Sequence, residues 1–558
     1  MAKKSKRPMF LKIIPLGGLG EVGKNMMLVE YGDDIIVIDV GLMFPEDEML
    51  GVDLVLPDFS YVTENADRVR GVILTHGHED HTGALPYLLK QINVPVYGTK
   101  LTLGLIEGKL AEHGLLKGAR LIEIDPSARI SLGVFDLEFI RVSHSIPDGL
   151  AIVLHTPEGI VIHSGDFKLD QTPIDGKVTE FGKIAAYHEQ GVLALLSDST
   201  NAEIEGYTMS EKVVGETLEN IILNAKGRIV VASFASHIHR IQQIVDVAKR
   251  ARRKIAICGR TMENNVEVAS RLGYLNLPKK MIIHPSQMKD FLPSQILVLS
   301  TGTQGEPLSA LARMSAKEHR WIQIDGGDAV IISASPVPGN EKSISQTINR
   351  LFRCGADVFY ESISGVHVSG HAAREELKLL INMVNPKYFI PIHGELRQLT
   401  YHARIASLLG IPESNIFVAE NGDVIELRKS EARMVSRVNA GLVLVDGLGV
   451  GDVGDVVLRD RRQLSQDGIL IVVVMIDGRN GATLAAPELI SRGFVYVRQS
   501  QDLLDEAKER VRLTLERTSA DQRTDWAVLK NEIRRTLSDF IYEQIKRRPM
   551  IIPIILET

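Results

Sequence analysis

Thr75-His76-Gly77-His78-Glu79-Asp80-His81-Thr82-Gly83 follows directly on the apolar run Gly71-Val72-Ile73-Leu74. Three histidines and an aspartate fall at alternate and adjacent positions, where a buried strand gives way to a polar turn. A single histidine on an apolar face is usually packing. A cluster of this density reads instead as metal chemistry, because neutral imidazole and carboxylate are ordinary ligands of zinc-like ions.

The chain has 558 residues, too long for one hydrophobic core, so two or three domains are expected. Apolar residues make up 44% and charged residues 24%, the balance of a globular protein. The only cysteines are Cys258 and Cys354, which excludes a disulfide framework and a thiolate metal cage. Any metal must therefore be held by His, Asp or Glu. No apolar run approaches the roughly 20 residues of a membrane span, and the basic start, Met1 to Pro8, has no apolar stretch behind it. A cytoplasmic enzyme with no membrane partner is expected. A net charge of −6 and a pI near 6.3 lack the footprint of general nucleic-acid binding, so a polyanionic substrate would need metal ions and a local groove.

Gly18-Leu-Gly20-Glu-Val-Gly23 has the spacing of a dinucleotide-binding turn, with Asp39 a suitable distance further on. The context argues against it. Asn25 to Tyr31 is strand-like and leaves no room for a crossover helix, so an antiparallel pair is expected. Beyond it one pattern recurs: an apolar, β-branched run stops at a polar residue. Leu137–Ser143 stops at His144, Ile160–His163 leads to Asp166, Val192–Ser197 stops at Asp198, and Tyr388–Ile392 stops at His393. Strands finishing at one sheet edge place such residues in a single cluster. His163 lies within its strand and reads as a packed core histidine. Helical stretches such as Ala84–Gln91 and Leu101–His113 make the fold class α/β.

Between about Glu203 and Gly365 the chain has strands of its own, at Arg228–Ala232, Lys254–Cys258, Gln295–Leu299 and Ala329–Ile332. Because His393 lies beyond this unit yet continues the earlier pattern, the unit reads as an insertion. Lys249, Arg250, Arg252, Arg253 and Lys254 read as a solvated helix end in preference to a patch that tracks a nucleic-acid backbone. Ser430 to Gly454 reads as a linker. Strands at Gly468–Met475 and Gly493–Val497, then helices at Gln501–Arg517 and Asp525–Arg547, suggest a small α+β domain.

His76-x-His78-x-Asp80-His81 resembles the signature of the metallo-β-lactamase superfamily. Leu196-Ser-Asp198-Ser-Thr200, Ser369-Gly370-His371 and Ile392-His393-Gly394 resemble the further motifs of its nucleic-acid-processing β-CASP branch. His367-Val-Ser-Gly-His-Ala372, Ser300–Pro307, Ser233-Phe-Ala-Ser236 and Ser491–Val495 narrow the resemblance to the bacterial ribonuclease J family, from about residue 8 to the C-terminus. It implies a metallo-β-lactamase αββα sandwich over 1–204 and 366–430, a β-CASP insertion over 205–365, a linker over 431–460 and a C-terminal α+β domain over 461–558.

The resemblance implies two zinc ions, with manganese as the alternative: His76, His78 and His144 on one, Asp80, His81 and His393 on the other, Asp166 between them. Asp39 would orient a ligand imidazole. Asp198 would support the site and its protonation, and His371 would protonate the leaving 3′ oxygen or hold the scissile phosphate. Asp80, His81, Asp198 and His371 are thus the expected catalytic set. Ala235, Ser236 and His237, with His367, Val368, Ser369, Gly370 and His371, would hold the nucleotide and its 5′ phosphate. His237 stands where an asparagine is expected, which would make that contact pH-sensitive. A structural calcium is implied at Asp446 with the carbonyls of Leu50 and Val52.

The expected activity is cleavage of single-stranded RNA, internally and in the 5′-to-3′ direction from a 5′ monophosphate, in rRNA processing and mRNA decay. The expected assembly is a homodimer, or a tetramer of paired dimers, with partners in an RNA decay complex. The competing readings are a β-CASP DNA nuclease, a small-molecule hydrolase of the superfamily and a non-catalytic scaffold subunit. An intact ligand set argues against the scaffold, since unpaired buried His and Asp are costly.

Overall fold

The computed structural model of the chain describes residues 9–46, 48–306, 308–337, 340–477, 482–495, 501–518 and 525–557. The basic start, Pro307 and the Tyr496–Val497 end of an expected strand lie outside the described residues. Two compact units result: the chain up to Phe44 with Leu54–Val443, and Pro45–Asp53 with Leu444 onward.

The first unit contains two sheets packed face to face. One has eight strands in the order Ala432–Arg437, Asp423–Leu427, Leu11–Gly17, Met26–Tyr31, Asp34–Ile38, Val69–Ile73, Pro95–Gly98, Arg120–Glu123. The other has six, in the order Tyr388–Ile392, Val192–Asp198, Gly159–His163, Leu150–Thr156, Phe135–Arg141, Arg129–Leu132. Side chains alternate across each strand. Ile13, Val29, Ile36 and Ile38 of the first sheet meet Leu137, Ile152, Leu154, Leu196 and Ile390 of the second in one core. The second sheet's other face, through Val153, Ile162, Leu195 and Phe389, buries apolar side chains of helices Phe181–Gln190, Arg374–Val384 and Leu396–Leu408. The glycine-rich segment does join an antiparallel pair, Leu11–Gly17 with Met26–Tyr31.

Strands Val192–Asp198 and Tyr388–Ile392 are parallel neighbours in register, Asp198 opposite Ile392. A further sheet lies between them in sequence: Ile282–Ile283, Lys254–Cys258, Ile296–Ser300, Ile229–Ala232, Ala329–Ile332, Asp357–Tyr360, with every pairing parallel. Its central strands are apolar without alternation because both faces are covered. Val231 and Leu299 pack with Leu218, Ile241 and Ile244, while Val230 and Val298 pack with Leu311, Met314 and Leu351. Arg253 is buried, and its guanidinium donates to the carbonyls of Gly227 (2.8 Å), Ile296 (3.2 Å) and Ala225 (2.6 Å). Arg250 pairs with Glu219 at 2.5 Å. The basic run is thus partly a structural clamp.

Two expectations are corrected. Ser430–Gly454 is not a plain linker: Ala432–Arg437 pairs with Asp423–Leu427, Val445–Asp446 pairs with Gly449–Val450, and a helix follows at Asp455–Asp467. Its glycines interrupt the strands and masked them. In the second unit the antiparallel partner of Ile469–Ile476 is Glu488–Arg492, ahead of the expected Gly493–Val497. Gly493 adopts a left-handed φ of 66° that ends the strand. The chain also returns after its helices to add Met550–Glu557, parallel to Ile469–Ile476. One face of this sheet packs Leu470, Val472 and Val474 on Leu504, Val511, Ile533 and Leu537.

Replacing Arg253 by Met should leave three carbonyls, that of Ile296 buried and those of Gly227 and Ala225 half-buried, short of a donor. At about 1 kcal/mol per lost bond the unfolding free energy should fall by roughly 3 kcal/mol, read as a lower chemical-denaturation midpoint. A midpoint equal to wild type would remove the clamp role.

Candidate metal and phosphate-binding site

The strand ends of both sheets meet at one edge. Asp39 follows Asp34–Ile38, and Thr75 and His76 follow Val69–Ile73. Asp166 follows Gly159–His163, Asp198 ends its own strand, and His393 follows Tyr388–Ile392. Backbone bonds stitch the edge together: Asp39 N to Ile73 O, Leu150 N to Thr75 O, Ser164 N to Leu196 O and Gly20 N to Gly394 O, each at 2.9 or 3.0 Å. The glycine-rich turn therefore folds over the His393 turn. Gly17 must be glycine, since a Cβ there would lie 1.9 Å from the Lys24 carbonyl oxygen. Asp39 and His393 hold left-handed φ values of 60° and 53°, a strained conformation that marks functional edges.

Three groups of converging ligand atoms arise: His76, His78, His144 and Asp166; Asp80, His81, Asp166 and His393; and Asp166, Asp198, His371 and His393, with the atoms of each group within 4.8 Å of one another. Asp166 belongs to all three. In the first, His78 Nδ1 lies 3.0 Å from His76 Nε2 and 3.2 Å from His144 Nε2. His144 Nδ1 donates to the Gly370 carbonyl at 2.8 Å, which turns the Nε2 lone pair inward. In the second, His81 Nδ1 donates to Asp39 at 2.8 Å, leaving Nε2 3.2 Å from Asp166 and 3.5 Å from Asp80. Asp39 also accepts from the Thr75 amide (2.8 Å) and hydroxyl (2.7 Å).

The field of the cluster suits cations. Burial first, then neighbouring imidazoles, push His76 and His144 well below the usual imidazole range, and His78 falls to about 4. These three rings are neutral, the form a metal requires. His81 and His393 go the other way. Burial opposes their protonation, but Asp166, Asp80 and the other carboxylates beside them prevail, and His393 rises to about 10. The same field that holds protons there favours a divalent ion, so this nitrogen and oxygen donor set fits two such ions. Asp198 accepts from His371 Nδ1 at 2.7 Å and lies 3.3 Å from His393 Nδ1. Although burial opposes it, Asp198 raises the His371 pKa.

The segment from Val366 to Val368 packs on Ile238 and Ile241, with Ala235 against the same core. His237 departs from expectation: its ring is buried, neither nitrogen has a hydrogen bond among the described residues, and Nε2 lies 3.6 Å from Glu211. Burial and then Arg240 hold it well below the usual range, so it does not titrate near neutral pH. His163 is buried and outside the three groups, its Nδ1 accepting the Gly165 amide at 3.1 Å. In the second unit Leu50 and Asp446 do meet, but on Arg461, whose guanidinium donates to the Leu50 carbonyl at 2.9 Å and pairs with the Asp446 carboxylate. A guanidinium already stands where calcium was expected, so the residues do not fit that ion.

Sequence reasoning missed several supports. Asn25 Nδ2 donates to the Asp80 carbonyl (3.1 Å), Thr200 Oγ1 lies 2.6 Å from His393 Nδ1, and Asn201 Nδ2 donates to Ser369 Oγ (2.9 Å) and the His371 carbonyl (3.0 Å). Asn201 was detectable in principle, standing three residues past Asp198; Asn25 carries no local signal.

Four family models match the chain: the metallo-beta-lactamase superfamily over residues 19–198, the ribonuclease J beta-CASP domain over 226–351, a Zn-dependent metallo-hydrolase RNA specificity domain over 358–417, and the ribonuclease J C-terminal domain over 456–558. Fold and site together define a metal-dependent hydrolase of the metallo-β-lactamase superfamily, with an inserted β-CASP domain and a C-terminal domain. Ribonuclease J 1 of Streptococcus pyogenes is 44% identical over 100% of this chain and 99% of its own length, and ribonuclease J2 of Bacillus subtilis is 45% identical over 99% and 100%. Ribonuclease J 2 of Staphylococcus aureus is 40% identical over 100% of both. The chain belongs to the ribonuclease J family. A crystal structure of an Enterococcus faecalis protein of unknown function shares the fold, with a TM-score of 0.54 and 16% identity over 75% of this chain and 100% of that one. Among the described residues no helix is long and apolar enough to cross a membrane.

Replacing Asp39 by Ala should free the His81 ring and weaken metal affinity about 10- to 100-fold, measured by chelator competition on protein with wild-type circular dichroism. Unchanged affinity would remove the orienting role from Asp39.

Proposed function

We propose that the chain is a two-metal ribonuclease that cleaves single-stranded RNA internally and, from a 5′ monophosphate end, in the 5′-to-3′ direction. It serves RNA maturation and decay in the cytoplasm. The observation that carries this is the sharing of Asp166 among three ligand groups, one of which contains the His371–Asp198 pair. His76, His78 and His144 would hold one ion and Asp80, His81 and His393 the other, with Asp166 within reach of both groups. The ions are zinc, with manganese compatible with the same donors.

Two such ions, when bound, would supply an activated water and offset negative charge on the phosphate. The protein's own groups supply the rest. Asp39 and Gly370 fix the rings of His81 and His144. His371, whose pKa Asp198 raises against burial, would deliver a proton to the departing 3′ oxygen. Ser369, Gly370 and His371, joined by Ala235 and Ser236, hold the nucleotide and its phosphate, and Asn201 ties the segment down from behind.

The protein acts as a homodimer in this reading. Support comes from the second unit's sheet, where Ile471, Val473 and Met475 lie in register with Ile552, Ile554 and Leu556. The last three are 38%, 38% and 45% exposed, an apolar face of the kind that marks an interaction surface.

Replacing Asp80 or His81 by Ala should lower RNA cleavage by on the order of a thousandfold in variants that keep their fold. Assays on matched RNA and DNA strands, run beside metal analysis, complete the test. Substantial turnover in either variant would refute the assignment; equal turnover of DNA would favour a DNA nuclease, and no turnover with one metal or none per chain would favour a scaffold.

A further inference from the structure

Behind the His367–His371 segment lies a buried charge pair that the roles above do not use. Arg240, in the helix Ile238–Arg250, is fully buried. Its guanidinium donates twice to Glu211, Nε to Oε1 at 2.6 Å and Nη2 to Oε2 at 2.8 Å. This parallel geometry locks the fork in place. The remaining nitrogen, Nη1, faces the Ser333 carbonyl at 2.9 Å, the Ser333 hydroxyl at 3.1 Å and Nδ1 of His367 at 2.8 Å.

A guanidinium carries only donors and does not lose its proton in proteins. At 2.8 Å from it, Nδ1 of His367 must present a lone pair, so the proton of the neutral ring sits on Nε2. The Ser333 carbonyl, the other acceptor beside the ring, is engaged by the same guanidinium. The ring's side-chain contact with Arg240 falls on Nδ1 and turns Nε2 away from the guanidinium. Burial, then Arg240 and Lys168, keep the ring from taking a second proton near neutral pH. Lys168, 2% exposed, donates to the Ser369 carbonyl at 3.3 Å, so buried cations anchor the segment at two points.

We propose that Arg240, held by Glu211, is a positioning residue for recognition of a terminal phosphate: it fixes His367 in the Nε2–H tautomer, so that the ring offers a neutral donor to a 5′ phosphate monoester. This rests on the reading of the segment as the 5′-phosphate pocket. A neutral donor matches an anionic acceptor over the working pH range without titrating, which an unconstrained histidine would not do.

The first measurement needs no substitution in the pair. In the zinc-loaded full chain carrying 15N-histidine, with the His367 signals assigned by their loss in His367→Gln, Nδ1 should be unprotonated and Nε2 protonated from pH 6 to 8. An Nδ1–H tautomer, or a doubly protonated ring, overturns the proposal. The second uses Arg240→Met with Glu211→Met, because removing both charges avoids stranding one in the interior. In this variant the tautomers should mix, and the ratio of kcat/KM for 5′-monophosphorylated over 5′-hydroxyl RNA should fall about tenfold, mainly through KM. Retention of the Nε2–H form, or equal losses on both RNAs, overturns it. If the wild-type enzyme does not prefer 5′-monophosphorylated RNA, the pocket reading fails, and the tautomer measurement still decides whether Arg240 sets the ring.

Discussion

Buried negative charge is the constraint on which the rest of this structure depends. Asp39, Asp166 and Asp198 are each at most 4% exposed and stand together at the edge of two packed sheets. Without compensation such an arrangement would cost several kcal/mol per ion. Imidazoles from separate elements surround the three carboxylates, and the field that raises the pKa of His81 and His393 is one that would draw in cations. Strand registers, glycine turns and the strained φ values at Asp39 and His393 all serve to bring this charge to one point.

The two packed sheets supply rigidity where charge needs it. Every ligand-bearing turn hangs from a strand whose neighbours are fixed by backbone bonds, and Leu150 N to Thr75 O ties one sheet to the other beside His76. Precise placement matters because coordination tolerates little error. The residues around the ligands continue the same logic: Asp39 on His81 and Gly370 on His144 choose a tautomer for each ring, as Arg240 does for His367.

Much of this was legible in the sequence because strand ends advertise themselves. An apolar run that stops at His or Asp is visible without coordinates, and His76, His144, Asp166, Asp198 and His393 were all found that way. The layered α/β architecture followed from the same runs. What escaped detection had no periodic or compositional trace. Arg240 and Glu211 look like surface residues of amphipathic helices, since sequence cannot show that both helices bury their charged positions against each other. Met550–Glu557 was missed because its partner strand lies across two helices, and contacts of that range leave no local mark. At Asp446, where the resemblance implies calcium, a neighbouring helix supplies Arg461 as the cation.

The position of His393 in the chain links chemistry to recognition. It reaches the metal-ligand cluster only after the inserted sheet has been completed, on a strand that pairs with Val192–Asp198 from before the insertion. Between them the chain passes through Glu211, Arg240 and Ser333, then through His367 and Gly370, and the last of these contacts His144 directly. The inserted sheet therefore touches the His367–His371 segment through Arg240, and that segment touches His144 through Gly370. Such a chain of contacts joins the inserted sheet to the ligand cluster through the His367–His371 segment.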